Sequence, residues 1–600
     1  MLLFRRLNLL LFVPETNALF VMLILSSIAI SLLAGVVISV YLGVGILPSS
    51  MEMTSHGIDL SKELFPFVFF QSITILGLLI VAVVLYISHP FFIRYRRGIQ
   101  SLSEKDKDIQ EHITKLAAEA GIEPPTIEMP LYGLRGSDAQ VFGIGKTRKI
   151  ALDGGLRIFR KTKPHLFSAI ISHELGHIAN FDVGKTYFSD ALSKSIRWLL
   201  IVPFLFVLPI ILINEVFSSP LNEATLEYIL RQSPSLVVFF QCIFVSWIPT
   251  IIWRRLLKTR ELYADWRASA WGYQQGLSEI LQEQVEKNKF KSRFNPLTFH
   301  PETEERLHTI KHPEILFIPS VSFVLLAGIL VSYILAGLTF SFSVTLFFSG
   351  ILDAIQGLFT GLFLGMHTII KDLIFAIMVL PIFIAVSWLI NLVVLSQVQR
   401  QTVMELINGK IGIIQYIKLG IVSLALVIGI EIGLLTTPFT PLFPDNLSEI
   451  PIELLINAPT LFFLVWWYLW YLKFITRKIY VTQTGKHLSV WRNRFIGIAS
   501  KMWIVLFFSP GLFLSRFFGY GASYWDLLYI SWFIFTILVS PLIFGVTWLL
   551  IKLFFDHQFI ECPHCGKKMN NARSSNVLCD YCGGILREWV FLSETQISTY

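Results

Sequence analysis

The sequence predicts a mostly α-helical, polytopic membrane protein of about ten spans, with an α+β domain on the cytoplasmic side and a small cysteine-built module at the C-terminus. Three observations lead there. Hydrophobic residues make up 54% of the 600, only 15% are charged and mean hydropathy is +0.64, a balance that a soluble chain of this length does not sustain. Apolar stretches near the roughly 20 residues that a spanning helix needs recur at about 18–46, 65–88, 196–214, 234–253, 315–340, 373–395, 415–437, 455–474, 499–515 and 527–553. The motif-bearing segments lie instead in one interval, 93–312, and in a tail, 556–600, where His, Glu and Cys stand at fixed spacings. The expected organisation is therefore two spans in 1–92, a polar domain over 93–312 interrupted by two spans (about 196–253), six spans in 313–555, and the tail.

Arg5 and Arg6 precede the first span, which lacks a small-residue cleavage site and reads as an uncleaved anchor. Arg94, Arg96 and Arg97 follow the second span, and Arg254, Arg255, Lys258 and Arg260 follow the fourth. Later basic loops hold Arg400, Lys410, Arg477, Lys478, Lys486, Arg492 and Arg494. The alternate loops, near 47–64, 215–233 and 438–454, are poor in Lys and Arg. Basic loops stay on the cytoplasmic side, so both termini and the polar domain are expected there, in a multi-pass protein of the plasma (inner) membrane. Loops facing anionic headgroups account for the net charge of +8, and no nucleic-acid partner is needed.

In the polar interval, Ser103–Ala120 reads as a charged amphipathic helix and Gly121–Pro125 as a turn. Val141–Ile144 and Lys149–Leu152 read as short strands around Gly145-Lys146-Thr147. Pro164 then stands where a first-turn proline is tolerated, and Leu166, Phe167, Ile170 and Ile171 give the following helix an apolar face. That helix carries His173-Glu174-Leu175-Gly176-His177, an HExxH motif. Positions i and i+4 share a helix face, so both imidazoles can reach one metal ion, with Glu174 about 100° round, where it can hold a water. The alternative is two core histidines that happen to lie four apart.

A mononuclear catalytic zinc takes three protein ligands and keeps one position open. Thr259–Ser269 (TRELYADWRAS) offers Glu261 and Asp265, again four apart. The first carboxylate can bind metal and the second can hold a ligating imidazole by its other nitrogen. An ordinary charged helix, its acids balanced by Arg260 and Arg267, is the competing account.

HELGH followed by RELYAD resembles the membrane-embedded zinc endopeptidases that include the HtpX heat-shock proteases and the CAAX prenyl proteases. FHPETEERLH (Phe299–His308) is similar to the segment that this family carries after its third ligand. The resemblance spans roughly 90–312. It implies a zincin-like metalloprotease domain with His173, His177 and Glu261 as ligands of one catalytic Zn2+, Glu174 as general base, Asp265 behind an imidazole, and His300 and Arg306 near the active site. One departure is that Asp138-Ala139 stands where the family has Asn-Ala at the start of the edge strand, which in such enzymes accepts an extended substrate backbone. Two spans before HExxH and two between the motifs is the HtpX arrangement. It implies an endopeptidase that cleaves membrane-associated or misfolded proteins at the cytoplasmic face. The alternatives are a processing protease for a defined, lipid-modified or other membrane substrate, and a non-catalytic scaffold with a relic protease fold.

The tail holds Cys562 and Cys565, then Cys579 and Cys582, in the C-x2-C-x13-C-x2-C spacing of a zinc ribbon. Four thiolates close a tetrahedral site, so a second, structural Zn2+ is expected, in a module suited to docking a protein partner. No βαβ pattern surrounds the pairs, which disfavours redox exchange. Of the six C-terminal spans, the sequence singles out only Gly357, Gly361 and Gly365 at small-residue packing spacing, Glu431 inside a span, and an alternating Lys478–Trp491 hairpin.

Overall fold

A computed structural model describes residues 60–102, 106–130, 138–144, 147–198, 234–288, 301–312, 320–333 and 413–435, short pieces within 15–31, 397–402, 459–473 and 559–581, and residues 136, 315 and 316. These residues are mostly helical. Helix α1 (Ala18–Ser27) is apolar and short. Helix α2 (Leu60–Arg97) contains Thr74–Arg97, the one described stretch long and apolar enough to cross a membrane, with a hydropathy of 2.3. Leu76, Leu79, Ile80, Val83, Val84 and Ile87 face outward from it, and Arg94, Arg96 and Arg97 close its last turn.

The α+β unit follows directly. Strand β1 (Ile99–Ser101) leads to α3 (Lys107–Glu119), which buries Ile109, Ile113, Leu116 and Ala117 and exposes its charged side, as its spacing predicts. Strands β2 (Thr126–Pro130), β3 (Ala139–Phe142) and β4 (Lys149–Leu152) complete a sheet of order β1-β2-β4-β3. The β2–β4 pair is parallel and the β1–β2 and β3–β4 pairs are antiparallel, so β3 is an edge strand. It opens at Ala139, two residues earlier than the alternation of apolar residues suggests.

Glu128 on β2 fastens the end of α2 to the sheet. Its carboxylate is bonded by Arg94 from α2 and by Lys149 from β4 at 2.8 Å. Burial opposes charge on Glu128, but the two cations outweigh it and hold the carboxyl below its ordinary range.

Helix α4 (Leu156–Thr162) precedes α5 (Pro164–Ala179), and α5 packs Phe167, Ile171 and Leu175 into the same core as Ile113, Phe142, Ile150 and Leu152. Helices α6 (Asp182–Ile196) and α7 (Pro234–Ala268) come next. Helix α7 runs unbroken, with Pro249 inside it, from the expected fourth span into the RELYAD segment. A five-residue π-turn (Ser269–Tyr273) leads to α8 (Gln274–Asn288), followed by α9 (Thr303–Lys311).

Beyond these lie α10 (Val321–Tyr333) and α11 (Ile413–Leu435). Their backbones touch: a Cβ on Gly328 would meet the Leu426 carbonyl oxygen at 2.5 Å, and one on Gly429 would meet that of Leu325 at 2.2 Å. A second apolar cluster joins α1, α2, α6, α7, α10 and α11 through Leu23, Leu78, Leu192, Ile252, Phe323 and Val422. Arg255 on α7 stitches this bundle, bonding Glu15 through Nε and Nη2 (3.2 and 3.1 Å) and Ser322 through Nη1 (3.1 Å). In the tail, β5 (Phe559–Glu561) and β6 (Lys568–Asn570) pair antiparallel, with Cys565 exposed in the turn between them. Cys562, Cys579, Cys582, the 357–365 glycines and the Lys478–Trp491 segment lie outside the described residues.

Candidate metal centre

His173 and His177 stand on one face of α5, their ring centroids 4.8 Å apart and their planes at 86°. Helix α7 crosses this face closely because position 176 is a glycine: a Cβ there would lie 3.0 Å from the Ala264 carbonyl oxygen. That approach brings Glu261, one turn before Ala264, onto the imidazoles. Its Oε2 is 3.4 Å from His173 Nε2 and its Oε1 is 3.6 Å from His177 Nε2. Ligand atoms of all three residues lie within 4.8 Å of one another, and all three side chains are buried.

Both imidazoles are held from behind. His173 Nδ1 faces Asp265 Oδ1 at 2.7 Å, and His177 Nδ1 is hydrogen-bonded to Asp182 Oδ2 at 3.3 Å. A carboxylate at Nδ1 fixes the tautomer and leaves the Nε2 lone pair for a metal. Asp265 is fully buried and takes a two-point grip from Arg306 of α9, with Nε and Nη2 each at 2.7 Å. Glu261 is gripped at Oε1 by Arg260, from Nε at 3.1 Å and Nη2 at 2.9 Å.

These contacts set the charges. Burial opposes ionisation of Glu261, yet Arg260 and the two imidazoles hold its carboxyl well below the usual range. Burial likewise opposes charge on Asp265, and Arg306 and His173 overcome it to keep the pKa low. Burial would lower the pKa of His173, but the Asp265 carboxylate reverses that, with Glu261 adding to it, and makes the imidazole a stronger base toward whatever cation Nε2 meets, a proton or a metal ion. Glu174 differs: burial pushes its carboxyl up, against the pull of His177 and His173. Its Oε2 accepts the Val141 N–H of β3 at 2.8 Å, which ties it to the edge strand.

Tetrahedral zinc with bonds near 2.0–2.2 Å sets its ligand atoms about 3.3–3.6 Å apart. Each imidazole Nε2 stands at about that spacing from one oxygen of Glu261, 3.4 Å to Oε2 and 3.6 Å to Oε1, and one ligand atom from each of the three residues lies within 4.8 Å of the others. Two imidazoles and one carboxylate, with both Nδ1 atoms occupied, fit Zn2+.

Of the residues that the sequence singles out, the structure brings together His173, Glu174, His177, Glu261, Asp265 and Arg306; His300 lies outside the described residues. Asp138, which departs from Asn-Ala, sits at the mouth of β3, where its carboxylate accepts the Ala139 N–H at 3.0 Å. Burial raises its pKa, opposed by Arg97. Two residues carry more than the sequence suggested. Asp182 closes the back of His177, and the signal for it is the general need of a ligating histidine for a second partner. Arg260 does not merely balance a charged helix but turns inward onto Glu261, while Arg267 bonds Asn180 Oδ1 at 2.8 Å. No curated protein and no solved structure matches the chain. Residues 103–314, about a third of the sequence, match the model of peptidase family M48, a match that points to a metallopeptidase and encloses every residue of this cluster.

Proposed function

We propose that the chain is a membrane-embedded zinc endopeptidase that cleaves membrane-associated or misfolded proteins at the cytoplasmic face. The observation that carries this reading is the convergence of His173 Nε2, His177 Nε2 and the Glu261 carboxylate beside a second, protonatable carboxyl group, Glu174. Bound at the three ligands, zinc would polarise the scissile carbonyl and acidify a water. The chain's own groups do the rest. Burial keeps the Glu174 carboxylate basic enough to take the water proton and later deliver it to the leaving amine. Arg260 keeps Glu261 anionic, and Arg306 keeps Asp265 anionic behind His173. Strand β3 is the edge of the sheet on the side of the site, the position from which an extended peptide backbone would be met.

The membrane setting is supported by the apolar outer face of α2, and the orientation by the charge of the sequence, with Arg94, Arg96 and Arg97 closing α2 and Arg254, Arg255, Lys258 and Arg260 standing on α7. The remaining spans, the zinc ribbon with its structural ion and a docking partner for it belong to the same proposal on the spacing argument alone. In the test, wild type and Glu174→Gln are purified in detergent, and metal content and cleavage of an unfolded protein are measured in both. Equal zinc with cleavage only in wild type is the expected result. Absence of a zinc equivalent that His177→Ala removes would overturn the reading.

A further inference from the structure

In the antiparallel β3–β4 pair, residues alternate between facing the neighbouring strand and facing outward. Asp153 N–H donates to the Asp138 carbonyl at 2.9 Å, which assigns the even residues Asp138, Gln140 and Phe142 to β4. Val141 therefore turns both of its backbone groups out, toward the metal cluster. Both are taken up by the protein itself. The N–H donates to Glu174 Oε2 at 2.8 Å, and the carbonyl accepts the Tyr187 hydroxyl of α6 at 2.6 Å.

Tyr187 is built into this place. Its hydroxyl also accepts Gln140 Nε2 at 3.3 Å, so one oxygen holds two consecutive residues of the edge strand. Its ring is buried and lies against the imidazole of His89 on α2, with centroids 3.9 Å apart and planes inclined by 31°. Burial pushes the phenol up to about 12, against Arg260, so it stays a donor at any working pH. The contacts run without a gap from the apolar helix α2 to the edge strand to the Glu174 carboxylate beside the candidate metal ligands.

We propose that Tyr187 is a positioning residue for Glu174: by holding the Val141 carbonyl it fixes the amide that orients the base, and His89 ties that bracket to α2. This rests on the peptidase reading for its kinetic consequence but not for its structural one. Val141 is then a fixed post rather than a rung for substrate.

The full-length protein in detergent supplies the test, as Tyr187→Phe, which keeps the ring and removes the bond, and His89→Phe, which keeps a stacked ring on α2. Loss of one buried hydrogen bond corresponds to roughly tenfold. Tyr187→Phe should lower kcat by about that factor with KM within about twofold and metal content unchanged. Amide hydrogen exchange across 138–144 should quicken by roughly the same factor. His89→Phe should move both readouts in the same direction, by less. Unchanged exchange and unchanged kcat in Tyr187→Phe would overturn the proposal. A loss confined to KM would also overturn it, because the hydroxyl would then be a substrate contact. If wild type cleaves nothing, the peptidase reading fails, and the exchange measurement still decides whether Tyr187 holds the strand.

Discussion

On α5 the two imidazoles are four residues apart, and helical periodicity alone sets them side by side. Glu261 reaches them from α7, far along the chain and beyond an expected pair of spans, so only packing can bring it there. The supports differ in the same way. His177 is backed by Asp182, five residues on, after a single turn. His173 is backed by Asp265 from α7, itself held by Arg306 from α9. One half of the site is thus local and the other is assembled by the tertiary fold. Whatever moves α7 moves a ligand and a support together, while α5 keeps its pair of imidazoles in register.

The sharpest way to separate the halves is to remove the long-range ligand. Glu261→Ala should abolish zinc binding at this site and drop cleavage by at least about a hundredfold. Amide exchange and thermal unfolding would show that α5 and its histidine pair persist. Collapse of α5 in this variant would show that the local half is not self-supporting.

The next contrast lies between the supports. Removing a carboxylate behind a ligating histidine costs roughly 10–100-fold in metal affinity. Asp265→Asn should fall at the upper end, because the contact is 2.7 Å and the change also strands a buried Arg306. Asp182→Asn, at 3.3 Å, should fall at the lower end. Competition against a zinc chelator measures both, and the reverse order would break the comparison.

Much of this division was legible in the sequence, and what was not follows the same line. The i, i+4 pairs His173/His177 and Glu261/Asp265 are visible because a helix repeats every 3.6 residues. Asp182 is not, because its place depends on Phe181 adopting a left-handed turn. The inward bend of Arg260 is equally hidden, since the same sequence would serve a solvated helix. Strand β1 is three residues long and β2 is buried at three successive positions, so neither shows alternation. Nor does any local pattern reveal that α7 continues from an expected span into the ligand helix. The junction of α7 with α1 and α10 was illegible for the same reason: Arg255 looks like one more topogenic arginine until Glu15 and Ser322 are beside it.

That junction offers a milder perturbation of the long-range half. Arg255→Gln removes a pair that is 29% exposed on the arginine side and 5% on the glutamate side, so its contribution is about 1 kcal/mol or less. Metal affinity should weaken by a few-fold if the bundle sets the position of α7. Arg157→Gln is the control: it removes a comparable ion pair, to Asp106 at 2.8 Å, between α4 and the residue preceding α3. It should lower the unfolding midpoint without changing zinc affinity. Equal effects of the two on affinity would mean that α7 draws no positional support from α1 and α10.

The smallest effect is expected in the local half, at Phe181. This residue joins α5 to α6 with φ 54° and ψ 32°, a conformation that costs an ordinary L-residue roughly 1–2 kcal/mol, and its ring is 66% exposed, so little burial offsets that strain. The turn is what returns Asp182 to His177. Asparagine tolerates this backbone better, whereas a β-branched residue tolerates it worse. Phe181→Asn should therefore raise stability by up to about 1 kcal/mol, and Phe181→Val should lower it by a similar amount. Zinc affinity should stay level in the first and fall in the second, as Asp182 loses its register. Were Phe181→Asn to cost cleavage while gaining stability at full zinc content, the exposed ring would itself be a substrate contact, and the strain would be retained for that contact rather than for the turn.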